Sequence, residues 1–172
     1  MLGGALPAAA YLANAGPAAA ITWQNKETGK YLQIVGRNTS MGARTNVAIK
    51  YSSDPNQHWD AVSMGYTSFS NVGAEDQWAF VNTNSDLCLS EHWKNTGEHV
   101  VQWSCGFDSY PQSDRWAEIT SIGGGWPKGY YALGNFGRGW LACVGASDYV
   151  VQGPLLGEIE NSPSAYSDCM WH

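Results

Sequence analysis

Apolar positions along this chain come in short runs, and the segments between them are rich in Asn, Gly, Asp and Thr. Three of those polar segments, "NKETGK", "NTNSD" and "NFGRG", have the chemistry of hairpin turns. Each follows an apolar residue, one intervening residue and an Asn: Trp23 and Asn25, Phe80 and Asn82, Leu133 and Asn135. Each is followed by a Leu, at Leu32, Leu89 and Leu141. The step Val-Val-Gln occurs at 100–102 and again at 150–152, as expected of one strand type with alternating side chains. Closing segments "NQHWDAV", "SDRWAEI" and "SDCMWH" bring Trp59, Trp116 and Trp171. The pattern therefore runs three times, with a period of about 50 to 57 residues.

A unit of that size made of short strands cannot bury its apolar face alone, so three copies must share one core. The three Leu and the three closing Trp are predicted to lie in it. Asn25, Asn82 and Asn135 stand at turns, where the amide bonds to nearby backbone. The rest of the composition agrees with short strands and tight turns: 172 residues, 20 Gly, nine Trp, nine Tyr and only 14% charged residues. Length and 44% hydrophobic content suit a single domain, predicted over 21–172 and all-β. Residues 1–20, "MLGGALPAAAYLANAGPAAA", carry no charge and end as a secretory cleavage site would, although the basic start of such a signal is missing. They are read as a signal-like leader or as an extended N-terminal segment available to a partner.

Fifteen acidic against nine basic residues give a formal charge of -6, which opposes binding to phosphate backbones and argues against nucleic acid. No uninterrupted apolar stretch is long enough for a membrane span. No nucleophile elbow is present, and Glu75, Asp76, Glu91, Asp114, Glu158 and Glu160 follow no catalytic pattern, so no enzyme activity and no cofactor are expected. His58, His92, His99 and His172 are scattered and no Cys-x-x-Cys occurs, so no metal site is expected. Four cysteines, Cys88, Cys105, Cys143 and Cys169, in a chain with a leader imply disulfides, with three possible pairings.

In its middle copy the chain resembles the ricin-B-type β-trefoil lectins, whose repeat reads Cys-Leu-Asp, then Trp-x-Cys, then Gln-x-Trp. Here stand Cys88-Leu89, Trp103-Ser104-Cys105 and Trp116, while the first copy keeps Gln57-His58-Trp59. The resemblance implies three four-stranded units forming a capped six-stranded barrel. It also implies a Cys88–Cys105 bridge within the middle unit, with Cys143 and Cys169 left to each other at positions unusual for the family.

For function it implies a secreted, non-catalytic carbohydrate-binding module, in which a ring stacks on the sugar while carboxylates and amides take its hydroxyls. The family's sugar-binding Asp is missing from all three copies, where Gln33, Ser90 and Ala142 are expected to stand. Ile49, Val101 and Val151 replace a further family Gln. The first unit offers Tyr51 as a ring with Gln33, Asn56 and Gln57. The middle unit offers Trp103, Asp114 and the loop "EHWKN" with Glu91 and Trp93. For Trp103, packing over the disulfide is an equal alternative. The third unit, with Gly153, is expected to bind nothing. Trp126, in "SIGGGWPKGYY", is a candidate contact with another protein. The decay of the sugar-binding Asp keeps a second reading open: a protein-binding adaptor or subunit of a secreted complex, a toxin among the options.

Overall fold

The structure is a computed structural model and describes residues 20–69, 73–91, 98–106, 113–120, 127–137, 139–155 and 163–172. Almost all of the leader, the loops that carry Trp93 and Trp126, and Glu158 and Glu160 lie outside the described residues.

Six short segments close a barrel. The stretch 21–25 pairs through Ile21 with Trp59, at the start of β3 (Trp59–Phe69), and through Asn25 with Trp171 in β11 (Met170–Trp171). β3 pairs antiparallel with β4 (Gly73–Asn82), and β4 meets β7 (Trp116–Ile119) at Trp78 and Trp116. β7 pairs with β8 (Tyr131–Asn135), and β8 returns to β11.

Three hairpins cap this ring: β1 (Tyr31–Ile34) with β2 (Thr45–Ala48), β5 (Cys88–Ser90) with β6 (Val101–Trp103), and β9 (Trp140–Val144) with β10 (Val150–Leu155). They meet around one axis through the bridges Arg44 to Val101, His99 to Val151 and Tyr149 to Asn46. A six-stranded barrel capped by three hairpins is a β-trefoil, as the resemblance implies.

The core follows the repeat. Trp23, Phe80 and Leu133, each two residues before a turn Asn, share one buried cluster with Trp59, Trp116 and Trp171. Fully burying rings of this size contributes about 1.5–3 kcal/mol each before entropy is counted.

The three Asn act as cross-unit ties. Asn25 Nδ2 donates to the carbonyl of Asp168, Asn82 Nδ2 to that of Asn56, and Asn135 Nδ2 to that of Ser113, at 2.7, 3.0 and 2.8 Å. Each acceptor lies three residues before a closing Trp, so each Asn binds the end of one unit to the start of the next. On the other side each Oδ1 accepts an N–H of its own turn: from Thr28, Asn84 and Gly137. These amides are fully buried and belong to the scaffold, as their turn positions predict.

In one respect the register differs from the sequence reading. The third residue in the Leu32 and Leu89 position is Ala142, not Leu141: Leu32, Leu89 and Ala142 share the main cluster. Trp116 Nε1 donates to the Leu89 carbonyl and Trp171 Nε1 to that of Ala142, at 2.9 and 2.8 Å. Leu141 points into a second cluster with Ala117, Ile119, Ala132 and the Cys143–Cys169 pair. The slots on β9 therefore move by one residue while those on β8, β10 and β11 keep their places, and the slot of the family's Asp holds Cys143 rather than Ala142.

Both disulfides form, Cys88 with Cys105 and Cys143 with Cys169. Their loops of 17 and 26 residues are each worth about 3 to 3.5 kcal/mol in the chain-entropy model.

Candidate functional site

With the register set, each unit has the same pair of slots: one residue after the core Leu or Ala, and two residues before the closing Trp. The pairs are Gln33 with Gln57, Ser90 with Asp114, and Cys143 with Cys169. The three pairs are chemically different, and so are the three units.

In the first unit the slots hold a network of amides. Gln57 is buried; its Nε2 donates to Gln33 Oε1 at 3.1 Å and to the Ile49 carbonyl at 2.7 Å, and its Oε1 accepts the Tyr51 N–H at 2.8 Å. Two backbone partners thus fix which end of the Gln57 amide is nitrogen. Gln33 must present its oxygen to Gln57, which turns its own NH₂ group outward.

Beside this network lies a cleft of about 650 Å³, lined by Gln33, Gly36, Arg37, Ile49, Tyr51 and Asp54, with Ala48 and Asn56. Tyr51 is 52% exposed and supplies a ring face on one wall. Asn56 is buried, its Nδ2 held by the Ile34 carbonyl at 2.7 Å.

The cleft contains a carboxylate at a place the repeat pattern does not indicate. Asp54 begins a short helical turn ahead of Pro55, and its Oδ1 accepts the Asn56 N–H at 3.1 Å. Its Oδ2 accepts from Arg37 Nε and Nη2 at 3.2 and 3.1 Å. Asp54 is 6% exposed, while the Arg37 side chain is 68% exposed. Arg37 sits in the left-handed region at φ 56° directly after Gly36 at φ 64°, a turn that needs glycine at one of its two positions. The same loop is tied to the middle unit: Asn84 Nδ2 donates to the Arg37 carbonyl, and Gln102 Nε2 to those of Asn38 and Ser40.

Tyr51 reaches the cleft from a different register than its match to Trp103 suggests. Trp103 stands opposite Cys88, and the residue opposite Tyr31 in the first hairpin is Ala48. Tyr51 comes three residues later, where the chain has left β2.

In the middle unit Asp114 is buried, and its Oδ2 accepts the Gly106 N–H at 2.6 Å. Burial raises the Asp114 pKa above the usual carboxylate range, with hydrogen bonding and Arg115 opposing. Ser90 Oγ faces Ser113 Oγ at 3.4 Å. Glu91 is buried, with its N–H on the Ser113 carbonyl. Trp103 is half-buried, its ring on the first unit's loop: a Cβ built at Gly42 would stand 3.5 Å from Cζ3.

In the third unit the disulfide itself fills both slots. Gly153 stands at the position of Trp103, and a Cβ there would lie 2.2 Å from Cys143 Sγ. A ring at 153 and a bridge at 143 exclude one another.

Of the residues singled out from the sequence, the structure gathers Gln33, Tyr51, Asn56 and Gln57 around one cleft. Trp103, Glu91 and Asp114 lie in the middle unit, and Trp93 is outside the described residues. Arg37 and Asp54 were not singled out. The available signal was the Asp-Pro turn start at 54–55 and a Gly before a basic residue at 36–37.

Comparison with solved structures agrees with the fold. A designed threefold-symmetric protein, ThreeFoil, aligns with a TM-score of 0.67 at 22% identity over 89% of this chain and 96% of its own. The Rhizoctonia solani agglutinin aligns at 0.62 and 14% identity, over 91% and 94%. An exo-beta-1,3-galactanase from Clostridium thermocellum aligns at 0.63 and 19% identity, covering 88% of this chain but only 29% of the enzyme. No family model and no curated protein matches the sequence. At these identities the likeness establishes the β-trefoil fold.

Proposed function

We propose that this chain is a secreted, non-catalytic carbohydrate-binding module and that the first-unit cleft is its binding site. The observation that carries the reading is an exposed ring, Tyr51, sharing a cleft with an anchored carboxylate, Asp54, and an outward amide, Gln33. A sugar needs this combination: a flat apolar face for its C–H groups and fixed polar groups for its hydroxyls. Asp54 supplies from a neighbouring turn a carboxylate that holds the Arg37 guanidinium at the cleft, a polar group that does not depend on an acid in slot 33. The agglutinin among the similar structures supports the reading by analogy of fold. Two disulfides suit an oxidising compartment. Among the described residues no helix is long and apolar enough to cross a membrane.

A single open cleft of this kind binds with a Kd of roughly 0.1–1 mM. The test is a glycan panel probed with the oxidised protein and with Tyr51→Ala. Retention on defined glycans that Tyr51→Ala loses, while its unfolding free energy in urea stays within about 0.5 kcal/mol of the parent, supports the reading. A blank panel from folded protein overturns it and favours the adaptor reading.

A further inference from the structure

The hydrogen-bonding capacity left open in the cleft identifies a class of sugar. Gln57 Nε2 occupies Gln33 Oε1, so Gln33 offers the cleft an NH₂ group with no acceptor among the described residues. Arg37 uses its Nε and Nη2 edge on Asp54, leaving the Nη1 and Nη2 head of the guanidinium without an acceptor among them. That head is the edge that grips a carboxylate with two parallel bonds. Both oxygens of Asp54 are already accepting, one from Asn56 and one from Arg37. Asn56 Oδ1 has no hydrogen-bond partner among the described residues but is fully buried, so the groups still open to the cleft are mostly donors, one of them cationic. A cleft for a neutral sugar of many hydroxyls needs free acceptors, and a cleft for an acid needs free donors.

We infer that the cleft selects a sugar bearing a carboxylate, whose two oxygens take the Arg37 head and the Gln33 amide while Tyr51 stacks on the ring. The inference rests on the carbohydrate-binding reading and narrows it. Asp54 acts here as a positioning residue: it holds the guanidinium edge-on, and the left-handed turn at Gly36 and Arg37 sets where the side chain leaves the backbone. Hexuronates and sialic acids share this chemistry.

The experiment uses matched pairs that differ only in the acid: an oligogalacturonide against its methyl ester, and a sialyl-lactose against lactose, titrated into the full oxidised chain by calorimetry. The expected result is about tenfold or greater preference for the acid in at least one pair, lost as salt screens the charge. Whichever pair shows it distinguishes uronate from sialate. Gln33→Glu keeps an oxygen for Gln57 and turns the outward donor into an anion; it should abolish the preference. Arg37→Lys keeps the charge but loses the fork and should cut the preference severalfold, with circular dichroism reporting that both variants fold. Equal binding of acid and neutral partners, or tighter binding of the neutral ones, overturns the inference and leaves the module a lectin. Silence across both pairs and across the wider panel overturns both.

Discussion

Gly153 offers the sharpest test of how the third unit is built. A Cβ at this position would lie 2.2 Å from Cys143 Sγ, 3.2 Å from Cys143 Cβ and 3.3 Å from the Leu141 carbonyl oxygen. The first distance is far shorter than any contact a Cβ makes, and the sulfur is held by its bond to Cys169 and cannot swing aside. Gly153→Ala should cost about 3 kcal/mol, at the upper end of overpacking penalties, and lower Tm by about 6–12 °C for a chain of this size. In a Cys143→Ala, Cys169→Ala background the sulfur is gone and the two remaining contacts need only a few tenths of an ångström, so the same substitution should cost less than about 1 kcal/mol. The background itself loses about 3.5 kcal/mol through its 26-residue loop, which leaves enough stability to measure. Urea unfolding followed by tryptophan fluorescence gives all four corners of the cycle. A coupling near 2 kcal/mol is expected. An equal cost of Gly153→Ala in both backgrounds would refute the reasoning that ring and bridge compete for one space.

Three other outcomes follow from the geometry. Asn82→Ala removes a buried amide and strands the Asn56 carbonyl and the Asn84 N–H, so it should cost about 2–4 kcal/mol in urea unfolding. Glu118 has its pKa raised by burial, opposed by the hydrogen bond from Trp23 Nε1. The folded state therefore holds that proton to a higher pH than the unfolded chain, and the group's contribution to stability falls as pH rises from the unfolded to the folded pKa. Glu118→Gln should raise the urea midpoint at pH 7, and its advantage should shrink as the parent is acidified through that window; a constant difference would contradict the assignment. Reducing both disulfides should lower stability by several kcal/mol while the parent's urea slope changes, because the unfolded chain expands.

What the residue pattern discloses is what repeats, and the barrel repeats faithfully. Three Asn and three Trp at near-constant spacing mark the start and end of every unit; the three Asn make the same bonds each time, and Trp116 and Trp171 make matching carbonyl contacts, while Trp59 Nε1 has no hydrogen-bond partner among the described residues. In the third unit the pattern misplaces β9 by one residue because Leu141 matches Leu32 and Leu89 in type. The slot is set by spacing from the Asn, and there an alanine suffices, its carbonyl receiving Trp171.

The site was only half legible for the opposite reason. Gln33 and Gln57 occupy repeat positions and can be found by alignment. Arg37 and Asp54 are 17 residues apart in one unit, with no counterpart to reveal them, and they meet because a left-handed turn aims one at the other. Function in a pseudo-symmetric fold lies where the symmetry is broken, so a search for repeats passes over it.

If the repeat slots bind sugar as proposed, the bridge between Cys143 and Cys169 also limits the valency of the molecule. A trefoil with three equivalent open sites could join three ligands and act as a branching node. Here one of the three positions is filled by a covalent bond between the two residues that would have lined it. On the carbohydrate-binding reading proposed above, the repeat slots of a single chain then leave an end-on attachment or at most a two-point link, and cross-linking would come from joining several chains.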